Sequence, residues 1–333
     1  MLRRLALPFL AWLVLGPTTV NAEIADVLGP NYVELENGRR LNLNCVGAGS
    51  PTVVFEQGGE GAIVNWRELQ PEISKLTRTC FYDRAGFGFS DPPKKPVNGL
   101  NATDDLRVLL RKAGIKTPII IVGHSMGGFY ATLYASRFPR EVAGLVLVDP
   151  GFAGQFDPRD PEQRRRELAA INSGYDWLAG CAEKARRGEL SEEASHGCFK
   201  IPPNRAPAEK AYLLHMHSRP AWYEAEASQS RNYFPSKVGE EPLSWRQARA
   251  ARRSFGDMPV VVLSAGVVGR EKAHSDEGYA EFVEHWRAGH RELAARSSRG
   301  EMIVVPEAKH FIQRDKPGVV IEALGRVLEA ARR

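Results

Sequence analysis

The sequence predicts an α/β fold: a mostly parallel central sheet flanked by helices, with a helical lid inserted after the sixth strand. Three observations carry this expectation. Short continuous apolar runs such as Val53-Val54-Phe55 and Ile119-Ile120-Ile121-Val122 recur along the chain, and runs of this kind are buried on both faces, as in a parallel sheet. Segments of helical period separate them, which implies right-handed crossovers. One interval, between Asp149 and Met258, contains no strand-like run.

Taken in order, residues 1–22 read as an address. Arg3 and Arg4 precede an apolar run from Leu5 to Leu15, and Val20-Asn21-Ala22 supplies a small-residue cleavage site. This is the pattern of a signal peptide cleaved after Ala22, and it predicts export to the periplasm or secretion. The apolar run is too short for a comfortable membrane span. Tyr32-Val33-Glu34-Leu35 and Leu41-Asn42-Leu43-Asn44-Cys45 alternate around Asn37-Gly38, a hairpin signal. Buried strands are then expected at Val53, Cys80, Ile119, Leu145, Val260 and Met302. Helices are expected from Trp66 to Leu76, Thr103 to Ala113, Met126 to Phe138, Tyr279 to Arg296 and Val319 to Ala330. Within the interval lacking strands, helices are expected near 161–187, 207–218, 221–233 and 243–253. The division that follows is a core of 23–149 and 258–333 and a helical lid of 150–257.

Composition narrows the partners. The chain has 333 residues, 43% hydrophobic and 26% charged, which excludes a disordered or collagen-like protein. Its net charge of +5, smaller still without Arg3 and Arg4, gives no reason to expect nucleic acid or a stable membrane partner after signal cleavage. The triplet Arg164-Arg165-Arg166 and the pair Arg252-Arg253 read as solvated helix faces. Composition leaves the oligomeric state open. Four cysteines are present and none has the spacing of a metal site, so no metal is expected.

The chemistry concentrates at Gly123-His124-Ser125-Met126-Gly127-Gly128, which joins an apolar strand to a helical segment. In that context G-x-S-x-G is a nucleophile elbow. A serine on so sharp a turn needs small neighbours two positions away on each side, and Gly123 and Gly127 are small. The turn also sets the serine at a helix N-terminus, where an oxyanion is favoured. His310 follows the last strand and stands just before the terminal helix. His124, adjacent to Ser125 in sequence, is poorly placed as its base and is expected to support it. His196, His215 and His217 fall in the insertion, where packing or surface roles are expected.

With these segments the chain resembles the α/β-hydrolase fold family across nearly all of its mature length. Glu56-Gln57-Gly58-Gly59-Glu60-Gly61 stands where that family has its His-Gly-x-Gly oxyanion loop, with Gln57 in place of the usual His. The resemblance implies oxyanion donors at the backbone N–H groups of Gly59 and Met126. Tyr82-Asp83-Arg84-Ala85-Gly86-Phe87-Gly88-Phe89-Ser90 resembles the family's loop after the fourth strand and reads as structural. Ser125 is then the nucleophile and His310 the base. The acid stays open among Asp149, at the end of the sixth strand, and Asp276 or Glu271, after the penultimate one. The implied activity is hydrolysis of a small ester-like substrate through an acyl-enzyme, without cofactor or metal. Carbon–carbon or amide hydrolysis on the same triad, and a non-catalytic binding protein of this fold, are the alternatives. The family's strand order makes the second and fourth strands neighbours, which implies a Cys45–Cys80 bridge. Cys181 and Cys198 share the insertion and form the second expected pair, with four reduced thiols as the alternative.

Overall fold

The computed structural model describes residues 27–36, 38–156, 161–251, 254–269 and 276–333. The expected signal segment, Asn37 of the hairpin turn, Arg252, Arg253 and Glu271 lie outside the described residues. Among those described, eight strands form one sheet: β1 (Tyr32–Glu34), β2 (Arg40–Val46), β3 (Val53–Glu56), β4 (Thr79–Tyr82), β5 (Ile119–His124), β6 (Val142–Val148), β7 (Val260–Ala265) and β8 (Gly300–Val305). Their spatial order is β1-β2-β4-β3-β5-β6-β7-β8. The pairings of β2 with β1 and β4 are antiparallel, and those from β4 onward are parallel.

The helices around the sheet are α1 (Gln70–Leu76), α2 (Gly99–Lys112) and α3 (Met126–Arg137), then α8 (Asp276–Ala294), α9 (Ile312–Asp315) and α10 (Pro317–Arg332). Between β6 and β7 lie α4 (Pro161–Arg186), α5 (Pro207–His217), α6 (Pro220–Tyr233) and α7 (Leu243–Ala250). The helix expected from Trp66 is corrected: Ile63–Trp66 is a 3-10 turn, and α1 starts only at Gln70. Pro71 is the reason. Inside a longer helix it would lose a hydrogen bond and clash with the preceding turn, whereas in a first turn it is tolerated.

Alternate residues of the central strands feed two cores. Val53, Phe55, Ile120 and Val122 pack with Ile73 of α1 and with Val320, Leu324 and Val327 of α10. Val54, Ile119 and Ile121 face the other way, onto Leu106 and Leu109 of α2, Tyr134 of α3 and Leu293 of α8. Both faces are covered, so the strands read as unbroken apolar runs. Leu324 is fully buried, and truncating it to alanine should cost about 2–5 kcal/mol.

The inserted helices are fastened to this core by hydrogen bonds. Tyr212 donates to Asp83 (2.6 Å). The N–H groups of Val97 and Gly99 donate to Ser228 and Ser244 (3.0 and 3.1 Å). Arg219 reaches the carbonyls of Gly88 and Ser90. Gly86, with φ 87°, lets α6 approach: a Cβ there would lie 2.5 Å from that of Ala225. His215 stacks on Phe89, and His217 packs between Phe199 and Trp222. Disulfides join Cys45 to Cys80, opposite each other on β2 and β4, and Cys181 of α4 to Cys198 in the loop beyond it. Among the described residues no helix is long and apolar enough to cross a membrane, and no cluster of three or more His, Cys, Asp or Glu is placed to hold a metal ion.

Candidate active site

Ser125 stands between β5 and α3 with φ 54°. A left-handed non-glycine residue costs of order 1–3 kcal/mol. Its surroundings hold it there: its N–H donates to Val148 O (3.0 Å), and its carbonyl accepts from Gly128 N (2.9 Å) and Gly151 N (2.8 Å). The neighbouring glycines are steric requirements. A Cβ on Gly123 would lie 2.7 Å from Gly127 O, and one on Gly127 would lie 2.3 Å from Gln57 O.

His310, in the loop between β8 and α9, meets this serine. Its Nε2 is 3.0 Å from Ser125 Oγ, and its Nδ1 is 2.7 Å from Asp149 Oδ2. Asp149 directly follows β6 and is buried. Its Oδ1 accepts from Ala265 N–H (2.9 Å) and Trp286 Nε1–H (3.0 Å). Burial pushes its pKa up, but the hydrogen bond and charge of His310, with His290 nearby, outweigh this and hold it at about 2. Asp149 is therefore an anion that only accepts, so His310 carries its proton on Nδ1 and turns the Nε2 lone pair to the serine hydroxyl.

Of the three candidate acids, Asp149 is the one whose described side chain touches His310. Asp276 begins α8, and its side chain is not described; Glu271 lies outside the described residues. One position after β7 is sterically closed: a Cβ on Gly266 would lie 2.5 Å from Val305 O. Asp149 instead reaches across from the adjacent strand end.

His124 supports the site from behind. Burial and the charge of His310 push its pKa down to about 3. It is therefore neutral near pH 7, and its Nε2–H donates to the His310 carbonyl (2.9 Å). His290, on the same face of α8 as Trp286, bonds Ser264 Oγ and Pro150 O, both at 2.9 Å. The sequence reading missed His290 and Trp286; their four-residue spacing toward an apolar face was the available signal.

The loop after β3 is organised by Arg84, whose part sequence reading also missed. Its buried guanidinium pairs with Glu56 (2.8 Å) and donates to the carbonyls of Gln57 (2.6 Å) and Gly58 (2.5 Å) and, at 3.3 Å, of Gly59. A trans peptide points its C=O and the next N–H in opposite directions. Drawing Gly58 O toward Arg84 therefore turns the Gly59 N–H away from it. Met126 is the first residue of α3, so its N–H has no intrahelical acceptor. Neither N–H has a hydrogen-bond acceptor among the described residues. Gln57 accepts from Trp66 Nε1 (2.6 Å) behind the loop.

These groups open onto a cavity of about 710 Å³. Its core side holds Gly59, Ser125, Met126 and His310; the inserted helices add Arg166, Ile171, Glu226 and Tyr233. Arg166 of the arginine triplet thus lines the cavity, while His215 and His217 do not.

Residues 51–179 match the profile of the family described as the alpha/beta hydrolase fold. YqjL of Bacillus subtilis, an uncharacterized protein, is 32% identical over 285 residues, covering 86% of this chain and 86% of its own. The 2-hydroxy-6-oxo-2,4-heptadienoate hydrolase of Pseudomonas putida is 35% identical over 133 residues, 39% of this chain and 46% of its own. The solved structure of a thermophilic esterase from Thermogutta terrifontis matches with a TM-score of 0.59 at 20% identity, over 92% of this chain and 100% of its own. At that identity the likeness is one of fold. The chain spans about half the length of several curated relatives that it matches.

Proposed function

The chain belongs to the α/β-hydrolase fold family, and from that premise we propose that it is an exported serine hydrolase cleaving a small carboxylic ester. The observation that carries this reading is the continuous chain from Asp149 through His310 to Ser125, with links of 2.7 and 3.0 Å, opening onto the cavity.

Ser125 Oγ attacks the ester carbonyl as its proton passes to His310 Nε2. Asp149 stabilises the imidazolium and keeps its Nδ1–H in place. The carbonyl oxygen becomes an oxyanion held by the N–H groups of Gly59 and Met126. Collapse expels the alcohol, which takes the proton from His310 and leaves an acyl-serine. Water then repeats the sequence, giving its proton to His310 and releasing the acid and free Ser125. Residues 150–257 act as the lid of the cavity on a core of 23–149 and 258–333. The two disulfides favour an oxidising compartment and so support export.

Purified protein should cleave a short-chain p-nitrophenyl ester, and Ser125→Ala should abolish the turnover. Equal turnover by that variant would remove the reading. A second reading, carbon–carbon hydrolysis on the same residues, draws on the named relative from Pseudomonas putida. Turnover of a 2-hydroxy-6-oxo-dienoate at a higher kcat/KM than any ester would favour it.

A further inference from the structure

We propose that Glu226 selects substrates carrying a protonated amine within a few bonds of the scissile carbonyl, an inference that rests on the ester-hydrolase reading. Glu226, Gln229 and Ser230 share one face of α6, at i, i+3 and i+4. The Gln229 amide gives one hydrogen to Gly59 O (2.8 Å) and one to Glu226 Oε2 (2.8 Å). Both neighbours are acceptors, so the amide has one workable orientation and ties the carboxylate to the oxyanion loop. Glu226 Oε1 lies 4.0 Å from the point a Cβ on Gly59 would occupy, and Met126 Cε lies 3.8 Å from the same point. A group bound by Glu226 therefore sits beside the reacting carbonyl.

The chemistry around Glu226 asks for a cation. Its two oxygens accept only from neutral donors, Gln229 and Ser230 (3.0 Å), and it has no ion-pair partner among the described residues. A carboxylate offers about four acceptor sites, so half remain for a ligand. Arg84 is committed to Glu56 and the loop carbonyls. Glu60 lines the same cavity and adds negative charge, and Arg166, also on its lining, makes no ion pair with Glu226. Burial pushes the Glu226 carboxyl up to about 7, so near neutral pH it is only partly ionised, and a bound ammonium draws it to the anion. An ammonium group supplies the missing charge, whereas an anionic substrate group is repelled.

The amine has two possible sources, the acyl group or the leaving alcohol, and paired esters of equal shape separate them. On the acyl side, L-alanine p-nitrophenyl ester is compared with p-nitrophenyl isobutyrate. On the alcohol side, 2-(dimethylamino)ethyl isobutyrate is compared with 3-methylbutyl isobutyrate. Because the alanine ester is intrinsically more reactive, the readout is the change in each kcat/KM ratio between wild type and Glu226→Gln. In one arm the ratio should fall about tenfold to a hundredfold, mostly through KM, the range of one charge-assisted hydrogen bond. If the variant does not fold, inhibition of wild-type p-nitrophenyl isobutyrate turnover decides: isobutylammonium should compete at concentrations at least about tenfold below isobutanol, its neutral counterpart of equal shape. Ratios unchanged in both arms, or an ammonium no better than the alcohol, overturn the proposal while leaving the hydrolase reading in place. Absence of any ester turnover overturns both.

Discussion

On the core side of the cavity, Ser125, Gly59 and Met126 are placed by backbone; on the opposite side, Ile171 and Glu226 are placed by helix packing. The first group cannot shift without breaking buried bonds to Val148, Gly151 and Arg84. The second projects from α4 and α6, two helices packed along each other, and a side chain there can change at the cost of local contacts. The difference teaches where reactivity and selectivity reside. The proposed chemistry is built into main-chain geometry, and the proposed choice of substrate into exchangeable side chains. Substitutions on the core side should therefore act on kcat and those on the helical side on KM.

After loss of Ser125 itself, the largest effect is expected at Asp149. Asp149→Asn should lower turnover by about 10⁴, because the amide no longer enforces the His310 tautomer. Circular dichroism establishes that the variant is folded, and a drop below tenfold would return the acid to Asp276 or Glu271.

Asp83 lies on the seam between the two sides, bonded to Tyr212 of α5 (2.6 Å) and to Asn42 (2.8 Å). Burial pushes its pKa up to about 6, against the partial relief of those bonds. Folding therefore favours the neutral form over an unfolded carboxyl near 3.9. The penalty is absent below about pH 4, grows through the window from 4 to 6, and is complete above it. Relative to Asp83→Asn, the wild type should lose about 2–3 kcal/mol between pH 4 and pH 7. Urea unfolding at both pH values measures this; parallel stability curves would contradict it.

Arg84→Lys keeps the charge but loses the planar fork that holds several acceptors at once. The Gly59 N–H should then lose its aim, and kcat should fall about tenfold or more, a fraction of the 10²–10³ attached to losing an oxyanion donor outright. A change confined to KM would assign Arg84 to substrate binding instead.

The smallest effect is expected on the helical side. Ile171→Val should raise KM by about two- to fourfold, since the one methylene it removes is worth about 0.8 kcal/mol when buried, and leave kcat nearly unchanged. Steady-state kinetics with one neutral ester checks it. A fall in kcat matching that of Arg84→Lys would erase the distinction between the two sides.

Legibility in the sequence follows the same division. Ser125 could be found because its strained turn demands glycine at 123 and 127, a local requirement written in adjacent letters. The strands could be found because both faces are buried, and Asp149 was visible as a carboxylate at a strand end. Arg84 lay inside a recognised segment, yet its work is done on carbonyls 25 to 27 positions away, which no spacing rule reveals. Glu226 is one of 40 acidic residues, set in a helix that also carries Glu224. Only its packing against Gly59 separates it from a solvated charge. The start of α1 was misplaced because hydrophobic period outweighed Pro71.

The proposed reaction turns on Ser125 being the nucleophile. The direct measurement is mass spectrometry of the protein after a fluorophosphonate, with peptide mapping of the adduct. One adduct per chain, on the peptide containing Ser125 and absent from Ser125→Ala, is the predicted result. An adduct on another residue, or equal labelling of the variant, would contradict the account.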